Sequence, residues 1–222
     1  MKQIFLKKEG NSGLLLFFAG WGADEHLFTA PVLDGYDCML CYDYRALDFD
    51  SSLLDGYASV RLLAWSMGVW VAQHVASRLK LNYDRKVAVN GTSYPIDDKK
   101  GIPYAVFMGT LEGISVPTLY KFRRRMCGSA KELQEFTARM PQRALEELRD
   151  ELAALQRFVA ESDAGDASFW DEAIAGKNDF IFPFENQMNA WKNIHVQVMD
   201  IAHYDTSLFA DLLRKEEMWT KH

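Results

Sequence analysis

Residues 62 to 70 read Leu62-Leu-Ala-Trp-Ser66-Met-Gly-Val-Trp70, a hydroxyl set in a run that is otherwise apolar apart from Gly68. On the amino-terminal side, Val60 to Trp65 has the texture of a short buried strand. On the carboxyl side, Val69, Trp70, Ala72, Val75, Ala76 and Leu79 recur at helical spacing. Strand therefore gives way to helix at Ser66. A serine on such a turn projects its Oγ away from the backbone, and the helix amino terminus supplies free N–H groups and a positive dipole for developing negative charge. Small residues two before and two after let the turn approach its neighbours; Gly68 meets that need, and Ala64 stands where the G-x-S-x-G pattern has glycine. The competing reading is a buried serine bonded to a nearby carbonyl, so the rest of the chain must decide.

Outward from this turn, Leu14-Leu-Leu-Phe-Phe-Ala19 is continuously apolar and closed by Gly20, as suits a central strand covered on both faces. Ile4 to Leu6, Cys38 to Tyr44, Val87 to Val89, Asp179 to Phe182 and His195 to Met199 are further strand candidates. Alternation of strands and helices indicates an α/β architecture: a mostly parallel central sheet with helices on both faces. Residues 104–172 break the rhythm. Lys131 to Phe136 and Gln142 to Ala160 are amphipathic helices, and no strand pattern appears among them. The expected organisation is a core formed by 1–103 and 173–222, with 104–172 inserted as a helical lid. A final helix runs from Asp205 to about Met218.

An activated serine needs a base, and the base needs an orienting acid. Of His26, His74, His195, His203 and His222, His203 is the choice. It follows a strand and precedes the last helix, in the kind of loop where α/β sheets gather catalytic groups. His74 falls within the helix after Ser66, His195 begins a strand, and His222 is terminal. In the order Ser…Asp/Glu…His, Asp179 is the favoured acid, flanked by Gly176 and Pro183; Asp171 and Asp200 are rivals. An oxyanion hole would combine the amide of Met67, next after the nucleophile, with that of Trp21 in Phe18-Ala-Gly-Trp-Gly22.

Together, F-A-G-W-G-A-D-E-H-L-F (18–28), L-L-A-W-S-M-G-V-W-V-A (62–72), N-D-F-I-F-P-F-E-N-Q-M (178–188) and I-A-H-Y-D (201–205) resemble α/β-hydrolase esterases. They are most similar to the BioG group, small hydrolases that cleave pimeloyl-[acyl-carrier protein] methyl ester in biotin synthesis. The likeness follows the chain in order, strongest over residues 14–28 and 62–72 and poorest in the helical block. It implies an α/β-hydrolase fold with Ser66 as nucleophile, Asp179 as acid, His203 as base and the Trp21 and Met67 amides holding the oxyanion. Two positions depart from the generic hydrolase pattern: Ala19 replaces the usual histidine, and Ala64 the first elbow glycine, the latter being compatible with the subgroup.

Composition bounds the partners. The chain has 222 residues, 49% hydrophobic and 25% charged, with formal net charge −6, which argues against a general nucleic-acid binder. The N-terminus lacks the apolar span of a signal peptide, and no run approaches the ~20 residues that cross a bilayer. A cytoplasmic location and a monomer are expected, with no metal or cofactor. Cys38 and Cys41 have C-x-x-C spacing but sit in an apparent strand without a second pair, so they are read as structural, like Cys127. Arg123-Arg124-Arg125, Arg139, Arg143, Arg149 and Arg157 form a basic series within the helical block. Under the resemblance, Arg123, Arg124 and Arg125 would dock the acidic acyl carrier protein bearing the pimeloyl methyl ester; interleaved Glu132, Glu135, Glu146, Glu147 and Asp150 suit a merely solvated face. Two other functions fit the same residues: a general short-chain ester or thioester hydrolase, and a catalytically silent carrier-binding module.

Overall fold

A computed structural model describes residues 1–29, 31–162 and 166–220. Seven strands form one sheet: β1 (Lys2–Lys7), β2 (Gly13–Phe18), β3 (Tyr36–Tyr42), β4 (Ser59–Trp65), β5 (Tyr83–Val89), β6 (Glu172–Gly176) and β7 (His195–Met199), in the order β1-β3-β2-β4-β5-β6-β7. Every pairing is parallel except that of the edge strand β1 with β3. All six residues of β2 are buried, as its unbroken apolar run requires of a central parallel strand. The chain steps one way from β2 to β3 and the other way from β4 to β5. With right-handed crossovers, that reversal sends the connections to opposite faces. It also leaves a crevice between the carboxyl ends of β2 and β4, the switch point where such sheets bind ligands.

Helix α1 (Met67–Ala76) follows β4 directly. Four helices, α2 (Tyr104–Glu112), α3 (Val116–Cys127), α4 (Ala130–Ala138) and α5 (Leu145–Ala160), lie between β5 and β6, and α6 (Phe184–Ala190) and α7 (Thr206–Arg214) complete the fold. Ser115 begins α3 through a reciprocal capping box with Thr118, and Gly128 ends it at φ 70° in the left-handed region. No helix among the described residues is long and apolar enough to cross a membrane.

One strand lies elsewhere than its texture suggests. Asp179 to Phe182 is a turn leading into α6, and the strand beside it is Glu172–Gly176. The sequence E-A-I-A-G has a single β-branched residue, so it carries little strand signal. The aromatic D-F-I-F carries a false one: Phe182 is buried against the His203 ring while Phe180 is exposed, so neither reflects strand pairing. Cys38 and Cys41 are buried, unpaired thiols within β3, pushed up by burial, Cys38 to about 12.

The first turn of the sheet is held by a β3 carboxylate. Asp37 accepts from the amides of Glu9 (2.9 Å), Gly10 (3.2 Å) and Asn11 (3.3 Å), from Asn11 Nδ2 (2.8 Å) and from Tyr57 Oη (2.9 Å). Burial alone would raise its pKa, but these donors outweigh burial and hold the carboxyl down to about 2. A depressed carboxyl stabilises the fold above its unfolded pKa of ~3.9 and loses that contribution as pH falls through about 2. With water competing at this exposed turn, Asp37→Asn should cost roughly 1–2 kcal/mol at neutral pH, and the gap from the parent should close on acidification. Urea unfolding at a series of pH values checks both.

Candidate active site

Four of the residues singled out in the sequence lie just beyond the carboxyl end of a strand: Trp21 after β2, Ser66 after β4, Asp179 after β6 and His203 after β7. Ser66 has φ 60° and ψ −130°, a conformation that costs a non-glycine residue about 1–3 kcal/mol and aims the side chain off the turn. The turn fits because its neighbours are small. A Cβ on Gly68 would lie 2.3 Å from Ala19 O, and one on Gly20 would lie 3.0 Å from Ser66 Cβ. Ala64, fully buried and in register with Phe18 and Ala88, is accommodated where glycine is usual.

His203 Nε2 is 2.9 Å from Ser66 Oγ, and His203 Nδ1 is 2.8 Å from Asp179 Oδ2. All three side chains are nearly inaccessible to solvent. Asp179 spends its other oxygen on the turn: Oδ1 accepts from the amides of Ile181 (2.7 Å) and Phe182 (2.9 Å), while Oδ2 also receives Gln187 Nε2 at 3.0 Å. The imidazole is held between rings, stacked on Phe182 at 5.9 Å and beside Trp65 at 5.4 Å. Trp65 further donates Nε1 to His203 O at 2.9 Å, which explains one tryptophan flanking the serine. Asn90, at φ 44°, donates to the carbonyls of Ala202 (2.8 Å) and His203 (3.0 Å) and accepts from Gly176 N (2.7 Å), tying the histidine loop to β5 and β6.

The rival groups are committed elsewhere. Asp171 pairs with Lys86, and Asp200 accepts from Asn178. His26 lies beside Asp24, His74 stacks on Trp70, and His195 is an exposed partner of Glu172. His222 lies outside the described residues. Trp21 and Met67 both line the cavity that contains Ser66 and His203, and among the described residues neither backbone amide donates to a protein acceptor. Two open amides beside the Ser66 hydroxyl are what an oxyanion would need. The cavity is a narrow cleft whose walls are mainly apolar, with Val106, Phe122, Met126 and Leu152 contributed by helices α2, α3 and α5.

The arginines divide. Arg124 and Arg125 are exposed, and Arg125 lines both the cavity and an outer groove shared with Lys121, Arg124 and Phe180. Arg123 instead turns inward, with Nη1 3.0 Å from Met140 Sδ and the guanidinium over the Phe136 ring; burial lowers its pKa. Arg143 is also no part of a basic face, being a buried partner of Asp43 and Glu151. Helical periodicity cannot separate these positions, since a long cationic side chain covers either solvent or apolar surface. Gln187 and Asn90 escaped the sequence reading. Asn90 had a signal in Asn90-Gly-Thr at a strand end; Gln187, among the polar residues Glu185, Asn186 and Asn189 of a short helix, had none.

The chain resembles known proteins along most of its length. The model of the family described as pimeloyl-ACP methyl esterase BioG matches residues 1–214. A Bacteroides fragilis (strain 638R) protein named malonyl-[acyl-carrier protein] O-methyltransferase is 46% identical over 210 residues, 94% of this chain but 42% of that protein. This chain thus spans under half the length of that relative. The crystal structure of BioG from Haemophilus influenzae superposes with a TM-score of 0.88 at 37% identity, covering 99% of this chain and 100% of that one. An esterase from Exiguobacterium antarcticum, 16% identical with a TM-score of 0.68 over 96% of this chain and 92% of its own, shares the fold. From the first strand to the last helix, then, this chain belongs to the family described as pimeloyl-ACP methyl esterase BioG and has the α/β-hydrolase fold.

Proposed function

We propose that the chain is a serine carboxylesterase that hydrolyses pimeloyl-[acyl-carrier protein] methyl ester to the carrier-bound acid and methanol in biotin biosynthesis. The observation that carries this reading is the continuous Asp179–His203–Ser66 relay at one wall of an apolar cavity. Ser66 Oγ attacks the ester carbonyl as His203 Nε2 takes its proton, and the Trp21 and Met67 amides receive the oxyanion. His203 then returns the proton to the departing methoxide, releasing methanol and leaving an acyl-serine. Water, deprotonated by His203, cleaves the acyl-serine to the acid and restores Ser66. Asp179 remains a carboxylate throughout, fixing the tautomer and stabilising the imidazolium. The apolar walls suit a methylene chain better than a polar one.

The insertion 104–172 serves as a lid over the 1–103 and 173–222 core, with the carrier docking at its rim. Lys121, Arg124 and Arg125 offer a cationic patch beside the cavity mouth, complementary to an acidic carrier. The Bacteroides relative's name supports a carrier-bound substrate, since installing a methyl ester on a carrier-bound acid and removing one are complementary reactions. A cytoplasmic monomer suffices, because one copy holds the whole relay.

The test compares a pimeloyl-carrier methyl ester with a simple aryl ester. A Lys121→Glu/Arg124→Glu double variant should raise KM for the carrier substrate roughly tenfold or more, an effect that weakens with salt, while aryl-ester turnover stays within about twofold. Equal effects on both substrates would remove the docking surface. Aryl-ester cleavage with none on the carrier ester would assign a general short-chain esterase instead.

A further inference from the structure

Helix α5 lends Leu152 to the cavity wall and, one residue earlier, turns Glu151 toward the loop that follows β2. Glu151 on α5 is fully buried, an environment that disfavours a carboxylate unless its oxygens are satisfied. Oε1 accepts from Tyr44 N at 2.9 Å; Oε2 accepts from Arg143 Nη1 at 2.5 Å and from Gly22 N at 3.4 Å. Those contacts bracket the segment Ala19–Gly22. At its far end is the Gly22 amide itself. At its near end is Tyr44, whose hydroxyl donates to Ala19 O at 2.7 Å. Between them, the Trp21 indole donates Nε1 to Leu148 O at 2.8 Å, one turn before Glu151 on the same helix. Gln142 N, just ahead of α5, donates to Asp24 Oδ2 at 2.6 Å and continues the attachment.

The loop that presents the Trp21 amide is therefore held along its length by one helix and by the strand-end residue that this helix grips. A free anion near a developing oxyanion would oppose it. Arg143, itself buried and paired with Asp43 at 3.0 Å, offsets the Glu151 charge while leaving its oxygens as acceptors. We propose that Glu151 is a positioning residue: its carboxylate fixes the Ala19–Gly22 segment so that the Trp21 N–H faces the oxyanion formed at Ser66. This rests on the reading of the Trp21 and Met67 amides as the oxyanion hole. Two backbone donors on two separate oxygens require a carboxylate. An amide offers one acceptor and one donor, so Glu151→Gln sets an NH2 against a backbone N–H while keeping the volume.

The experiment measures kcat, KM and the affinity of a reversible boronic acid, which forms a tetrahedral adduct on serine, for the parent and Glu151→Gln. The expected result is a loss in kcat of about 10²-fold for both the aryl ester and the carrier ester, KM within about twofold, and a parallel loss in boronate affinity. Unchanged kcat, or a loss confined to KM, overturns the proposal. Should Glu151→Gln fail to fold by thermal melt, Tyr44→Phe decides. It removes the hydroxyl's ties to Ala19 O and Cys41 O while keeping the Tyr44 amide that Glu151 holds, and should lower kcat and boronate affinity together by roughly tenfold, unchanged values of both being the contrary result. The site reading is checked apart from this, by whether the parent's aryl-ester turnover depends on Ser66.

Discussion

Ser66→Ala should lower kcat on the order of 10⁶-fold with any ester substrate, leaving the residual rate that binding and the oxyanion amides supply. The size follows from what is removed. The hydroxyl's hydrogen bond is with His203 Nε2, and it does not cap α1. The bonds that build the turn are made by the backbone instead: Ser66 N to Val89 O at 3.0 Å and Val69 N to Ser66 O at 3.1 Å. Alanine keeps both, so the melting temperature should hold while turnover collapses. Adding His203→Ala should cost almost nothing further, since the two groups act as one unit. Active-site titration alongside thermal melts separates chemistry from folding. A variant with a tenth of parental kcat would show that Ser66 is not the nucleophile.

Asp179→Asn should cost about 10³- to 10⁴-fold in kcat, through the wrong tautomer rather than through lost packing. Asp179 Oδ1 accepts from two backbone amides, Ile181 and Phe182, so the asparagine carbonyl oxygen must take that position. Its NH2 then faces His203 Nδ1, which can accept only if the imidazole proton moves to Nε2. An Nε2–H cannot take the proton of Ser66. Gln187 meets the same NH2 and must flip, presenting the Oε1 that has no hydrogen-bond partner among the described residues and giving up its Nε2 bond to Phe182 O. The fold survives, and stability should change by less than the loss in rate suggests. The pH–rate profile and the imidazole proton resonances of His203 report the tautomer directly. An Asp179→Asn enzyme with near-parental kcat would detach this carboxylate from the relay.

The sequence makes the candidate site legible because its parts sit where periodicity changes. Ser66 stands between a strand pattern and a helix pattern, His203 between β7 and α7, and Trp21 after the most apolar strand. Such boundaries are short-range signals. What sequence conceals is the long-range work. Glu151 lies 107 residues from Tyr44 and 129 from Gly22 along the chain, and nothing in an amphipathic helix marks one glutamate as buried. The same blindness joined Arg123 to Arg124 and Arg125 as one basic patch, whereas the folded helix turns the first toward Met140 and Phe136. Strand β6 was hidden for another reason: tertiary pairing with β5 and β7 imposes extended backbone on a segment with weak β-propensity.

Acylation of Ser66 by a carrier-bound methyl ester is the one covalent event on which the proposed mechanism depends. A single-turnover reaction with pimeloyl-carrier methyl ester, acid-quenched at successive times and followed by mass spectrometry of the Ser66 peptide, observes it directly. The predicted result is methanol release in step with a transient acyl adduct on Ser66 that decays as the free carrier-bound acid appears, and no adduct with Ser66→Ala. Methanol release at an undiminished rate from Ser66→Ala, with Ser66 never modified in the parent, would contradict the account.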